Sequence, residues 1–154
     1  MLIRNILEES VRKFDEVKAV KWLKKKEIME RSYGELMENV VSTRKGLLAE
    51  GFEGKHIALI GTSSVEWMES YLGIITGCTT AVPLDAALPC EDLIDLLNRS
   101  DSVALFLSPK LKPYLDAFLE NCPKLQKVWM LQEEVEDALA KVYGCLLYTS
   151  PSPR

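Results

Sequence analysis

Gly61-Thr62-Ser63-Ser64 is the stretch whose residue types best suit a ligand, because it joins an apolar run to a helix-start signal. A loop entering a helix offers unpaired backbone N–H groups and the positive end of the helix dipole to a phosphate. It has a single glycine and no lysine, so neither the dinucleotide fingerprint nor the P-loop is met. Ser63 and Glu66 also have the spacing of a capping box, which already employs the hydroxyl. His56, the one histidine, has no Ser, Cys or carboxylate constellation near it in sequence and reads as a strand-entry residue, not a general base. Asp85 follows Val82-Pro83-Leu84 at the carboxyl end of a strand, where open α/β sheets place ligand residues; a carboxylate there is equally a routine helix-entry residue. Lys24, Lys25 and Lys26 read as a solvated turn, and Glu133, Glu134, Glu136 and Asp137 as an acidic helix start. The cysteines Cys78, Cys90, Cys122 and Cys145 form no CxxC pair, so reduced thiols in a cytoplasmic protein are expected over a zinc or disulfide framework. Cys78 and Cys90 are expected as buried or half-buried small hydrophobes, and Trp22, Trp67 and Trp129 as core. No catalytic, cofactor-binding or metal-binding residue is assigned on this basis.

The elements that must position these residues are legible from periodicity. Leu2, Ile3, Ile6, Leu7, Val11 and Phe14 follow the period of an amphipathic helix. Two short strands flank the lysine turn. Ser32 and Glu35 form a capping box, and the helix it opens carries Leu36, Met37, Val40, Val41, Leu47 and Leu48 to a left-handed cap at Gly51. His56 to Gly61 is a near-continuous apolar run, as expected of a strand covered on both faces. Further strands are predicted near 80–83, 103–107 and 127–131. Helices between them carry Trp67, Tyr71, Leu72, Ile74 and Ile75, then, with Pro89 in the first turn, Leu93, Ile94, Leu96 and Leu97, then Tyr114, Leu115, Phe118 and Leu119. Strands alternating with helices at this spacing predict a mainly parallel sheet, so the fold class is α/β, preceded by a helix and a β-hairpin.

Composition narrows the classes. Across 154 residues, 47% are hydrophobic and the formal net charge is −4, which allows a core and argues against a nucleic-acid binder or an anionic membrane surface. Glu8 and Glu9 interrupt any secretory signal at the start. Tyr71 to Leu84 is too short to span a bilayer and contains Gly73, Gly77 and Pro83.

Residues Arg31 to Leu93 resemble the N-terminal region of AMP-forming acyl-CoA synthetases, the adenylate-forming superfamily that includes luciferases and peptide-synthetase adenylation domains. The matching features run in order: Tyr33 and Leu36 on a helix, Leu47 to Gly51 ending it, Gly54, the Ile57–Ile60 strand, Glu66-Trp67, the helix of Tyr71 to Gly77, and Ala81 to Pro89. Lys55, Thr62 and Cys78 depart from the family's usual residues. The resemblance implies an ATP-dependent ligase that joins a carboxylic acid, with a fatty acid favoured, to AMP and passes the acyl group to coenzyme A. Mg²⁺, ATP and coenzyme A are implied for that parent enzyme. The family's Ser/Thr/Gly-rich phosphate loop ending in lysine does not occur in this sequence, so no residue here is expected to bind those groups. Residues 1–144 are read as the N-terminal part of an AMP-binding synthetase domain and are expected to be inactive alone. Two alternatives stay open: an adenylation domain serving a carrier protein or an amide-forming enzyme, and a non-catalytic α/β binding module.

Residues 145–154 break with what precedes. Cys145 to Arg154 resembles the translation of TGT CTC TTA TAC ACA TCT CCG AGC CCA CGA, a transposon-end adaptor used in sequencing libraries, at each of its ten codons. The expectation is a non-native tail without a packed position.

Overall fold

The computed structural model describes residues 2–131 and 145–149. The chain begins with α1 (Ile3–Phe14), and a hairpin of β1 (Lys18–Lys24) and β2 (Glu27–Ser32) follows. Lys25 and Lys26 form its two-residue turn, both at positive φ (46° and 70°). That geometry matches the right-handed twist of paired strands. The lysine run is therefore a turn, as expected. The amphipathic stripe of α1 remains largely open, with Leu2, Ile3, Ile6 and Phe14 each about half or more exposed.

The predicted capping box opens α2 (Tyr33–Ala49): Glu35 N–H donates to Ser32 Oγ and Ser32 N–H to the Glu35 carboxylate, both at 3.1 Å. At the other end Gly51 sits at φ 78°. Phe52 N–H donates to Leu47 O and Gly51 N–H to Leu48 O. This 6→1 and 5→2 pair closes the helix and drops Phe52 into the core beside Leu47.

β3 (His56–Ile60), α3 (Val65–Thr76), β4 (Thr80–Leu84), α4 (Cys90–Arg99) and β5 (Ser102–Leu107) follow in alternation. A 3-10 helix (Pro109–Tyr114), α5 (Leu115–Asn121) and β6 (Lys127–Leu131) come next. The strands pair in the order β4-β3-β5-β6, all parallel. Side-chain alternation sorts them between two cores. Ile57, Leu59, Ala104, Phe106 and Leu131 face α2 and α3, while Ala58, Ile60, Leu105, Leu107, Val128 and Met130 face α4 and α5. Both faces are thus covered, which is why the strands read as continuous apolar runs.

Several expectations need correction. The N-cap of α3 is Ser64, not Ser63: its hydroxyl accepts from Trp67 N–H at 3.1 Å, so the cap lies one residue further on. Pro89 precedes α4 as its N-cap, leaving its fixed φ just outside the helix. Cys145–Thr149 forms β7, pairing antiparallel with β6 from Lys127↔Thr149 to Leu131↔Cys145. The expectation that this tail finds no place fails for these residues. The free edge of β6 presents unpaired N–H and C=O groups, and any extended segment can satisfy them. The acidic stretch Glu133–Asp137 lies outside the described residues.

Candidate functional site

In a parallel sheet every strand delivers its carboxyl end to one edge, and here that edge gathers Thr62, Ser63, Asp85 and Ser108. β3 leads away to β4 on one side and β5 to β6 on the other, so the switch point lies between β3 and β5. Open α/β sheets bind ligands in the crevice such a divergence creates. Ser108 N–H donates to Ile60 O at 2.9 Å, tying the two strand ends together. A Cβ on Gly61 would meet Ser108 Cβ at 3.1 Å, Trp67 Cδ1 at 3.3 Å and Leu131 Cδ1 at 3.5 Å. The glycine is there for close packing, not to admit a phosphate. Thr62 and Ser63 stand exposed above it.

The other sequence candidates scatter. Asp85 Oδ1 accepts from Ala87 N–H at 2.9 Å, a local turn that orders the entry to α4. His56 lies at the opposite, amino edge of the sheet, where its Nδ1 is 2.6 Å from Ser100 O. The carbonyl can only accept, so Nδ1 carries the proton and the ring pins β3 to the turn before β5. Cys78 is exposed, contrary to expectation, because it follows the helix terminus at Gly77 instead of lying in the strand. Cys90 is half-buried; burial, then Glu91, pushes its thiol pKa up. Trp129 packs in the core, stacked on Phe106 at 5.0 Å, and Trp67 stacks on Tyr71 at 5.3 Å. Trp22 does not join the core: it lies on the hairpin with the Arg31 guanidinium 5.4 Å from its ring centre.

Two clusters escaped the sequence reading. Glu69, only 5% exposed, accepts at Oε2 from Arg31 of β2 at 3.3 Å and from Asn39 of α2. Burial raises its carboxyl pKa to about 7, against the lowering pull of Arg31 and Asn39. The second surrounds Arg44, which donates from Nη2 to Thr76 Oγ1 at 2.9 Å. Both follow from the parallel packing of α2 on α3: a Cβ on Gly73 would lie 2.6 Å from Thr43 Cβ. Asn39 and Thr43 on one helix face Glu69 and Gly73 on the other, one turn apart in each. The available signal was Glu69 itself, a charge on the stripe Val65, Glu69, Gly73 and Thr76 that α3 buries.

Among the described residues no group of three His, Cys, Asp or Glu side chains could hold a metal ion, and no helix is long and apolar enough to cross a membrane. The residues present do not fit a nucleotide triphosphate. The switch-point loop carries one glycine and no lysine, and Gly61 packs closely against Trp67, Ser108 and Leu131.

The fold and this edge define a two-faced parallel α/β domain of the kind that supports ligand chemistry at its carboxyl end. The chain belongs to the AMP-binding enzyme family, which matches residues 7–149. The family comprises adenylate-forming ligases, among them acyl- and aryl-CoA ligases and adenylation domains. A search of curated proteins finds no match. Among solved structures, a mutant form of coronafacic acid ligase from Pectobacterium brasiliense is 18% identical, with TM-score 0.78 over 99% of this chain and 30% of its own. A Mycobacterium tuberculosis fatty acyl CoA synthetase is 17% identical, with TM-score 0.76 over 99% of this chain and 29% of its own. The anthranilate CoA ligase AuaEII, solved with anthranoyl-AMP, is 18% identical, with TM-score 0.75 over 84% of this chain and 25% of its own. Likeness at this identity is likeness of fold. The chain spans less than a third of the length of each of these three proteins.

Proposed function

We propose that residues 1–144 are the N-terminal scaffold of an ATP-dependent, AMP-forming ligase that activates a carboxylic acid, a fatty acid by preference, and passes it to coenzyme A in the cytoplasm. The observation that carries this reading is the family match across residues 7–149, laid over a parallel α/β fold similar to that of a solved fatty acyl CoA synthetase at TM-score 0.76. In this reading the chain's contribution is architectural. The carboxyl edge supplies a rigid floor, fixed by the Ser108–Ile60 hydrogen bond and the close contact at Gly61, on which segments beyond this chain build the nucleotide site. Mg²⁺ would neutralise phosphate charge as the carboxylate attacks, but no residue here is assigned to it. Residues 145–154 are read as a non-native tail, with β7 a surrogate for whatever strand natively covers β6.

The test is carboxylate-dependent exchange of pyrophosphate into ATP. The 154-residue chain is expected to show none, and the full-length enzyme is expected to exchange with some acid and release AMP when coenzyme A is added. Exchange by the chain alone would overturn the scaffold reading. No exchange by the full-length enzyme over a broad acid panel would overturn the ligase assignment. Resequencing the locus past Gly144 tests the tail directly: an independent copy that reads on through Cys145 to Arg154 would make those residues native.

A further inference from the structure

The β1–β2 hairpin concentrates a charge that the rest of the chain does not share. Lys18 to Met29 holds five lysines and one glutamate, a local charge of +4 in a chain of formal net charge −4. Net charge, which speaks against an anionic membrane for the chain as a whole, averages over this segregation.

Strand register sorts the two faces of the hairpin. Val20, Trp22, Met29 and Arg31 share one face, and it is held to the body: the Arg31 guanidinium lies 5.4 Å from the Trp22 ring centre and donates to buried Glu69 of α3 at 3.3 Å. Leu23 and Ile28 face each other across the other side, each 73% exposed. Lys25 and Lys26 stand exposed just beyond them at the turn. Glu30, on the same outer face, is offset by Lys18 at 3.5 Å and Lys21 at 3.9 Å. Lysines on both strands would by themselves protect open edges from pairing. That protection does not call for two facing aliphatic side chains in water.

We propose that the outer face of this hairpin docks the protein on an anionic lipid surface, with Leu23 and Ile28 entering the bilayer interface and Lys25 and Lys26 lying over the headgroups. Charge complementarity selects this partner, and size selects it over a protein. A stable protein interface buries about 800 Å² on each side, far more than two side chains offer. A bilayer needs no matching shape: aliphatic groups enter the boundary of headgroups and acyl chains while lysine stems reach back to the lipid phosphates. The inference stands apart from the ligase reading, because lipid binding is measured without catalysis.

The 154-residue chain and the full-length enzyme are sedimented with vesicles of phosphatidylcholine alone, or of phosphatidylcholine with about 30 mol% phosphatidylserine. Both proteins should bind the anionic vesicles, and added salt should weaken the binding. A lysine near such a surface is worth about fivefold in partitioning, so the double variant Lys25→Gln, Lys26→Gln should bind about 30-fold more weakly. The double variant Leu23→Ser, Ile28→Ser keeps every charge and should lose about tenfold through the lost insertion. All four side chains are exposed, so neither variant disturbs the core. No binding to anionic vesicles, or equal binding to neutral ones, would overturn the proposal. So would binding unchanged in the Leu23, Ile28 variant, which would leave a purely electrostatic face suited to an acidic macromolecule. Binding unchanged in the lysine variant would also overturn it, by placing the contact elsewhere on the chain. Binding by the 154-residue chain but not by the full-length enzyme would assign the face to the parent's own later segments and overturn it as well.

Discussion

Replacing Glu69 by Gln should stabilise the protein at pH 8 by about 3 kcal/mol and at pH 5 by less than about 1 kcal/mol. The carboxyl is raised from an ordinary 4.5 to about 7, chiefly because burial disfavours its charge. Below pH 4.5 both folded and unfolded chains hold the proton and the group contributes nothing to the pH dependence. Between 4.5 and 7 the unfolded chain ionises while the folded one does not, so stability falls as pH rises, by about 1.4 kcal/mol per pH unit. The interval is about 2.5 pH units, so the full cost above pH 7 is about 3 kcal/mol. Gln keeps an oxygen for Arg31 and Asn39 and has no charge to bury. Urea unfolding of wild type and Glu69→Gln at pH 5 and pH 8 measures the difference. With a slope of about 2 kcal/mol per molar urea, the midpoint of the variant should rise by about 1–1.5 M at pH 8. A variant that is less stable than wild type at pH 8, or that keeps the wild-type pH dependence, would show that the Arg31 ion pair outweighs the cost of burying the charge.

Other perturbations test single contacts. Gly73→Val should cost about 2 kcal/mol or more, because even a Cβ would sit 2.6 Å from Thr43 Cβ and 3.1 Å from Val40 O; urea unfolding reads it, and an unchanged midpoint would mean that α2 and α3 separate freely. Ser32→Ala removes the acceptor of the Glu35 N–H and should cost about 1 kcal/mol, measured the same way. His56→Gln in the full-length enzyme should leave turnover within a few-fold, since the ring is occupied with Ser100 O at the edge away from the switch point. A loss on the order of 100-fold would assign it general acid–base work instead.

Local chemistry determined most of the architecture. Ser32 with Glu35, Gly51 at the end of α2 and the apolar runs of β3, β5 and β6 are short-range signals, because caps and two-face burial act within a few residues of chain. The same is true of the lysine turn, whose two residues need only the twist of their own strands. What the sequence alone misplaced was decided at longer range. Ser63 and Ser64 are equally good caps in isolation; the end of β3 and the packing of Trp67 select Ser64. Cys78 was expected inside, yet the helix end at Gly77 turns it outward. Glu69 and Arg44 had no visible partners, since Asn39 lies 30 residues from Glu69 and Thr76 lies 32 from Arg44. They meet only when Gly73 lets α2 lie directly on α3. Burial and partnership are properties of that approach, which no local pattern encodes. The pairing of Cys145–Thr149 with β6 has the same origin, because an open strand edge accepts backbone irrespective of side chain, and only the assembled sheet creates the edge.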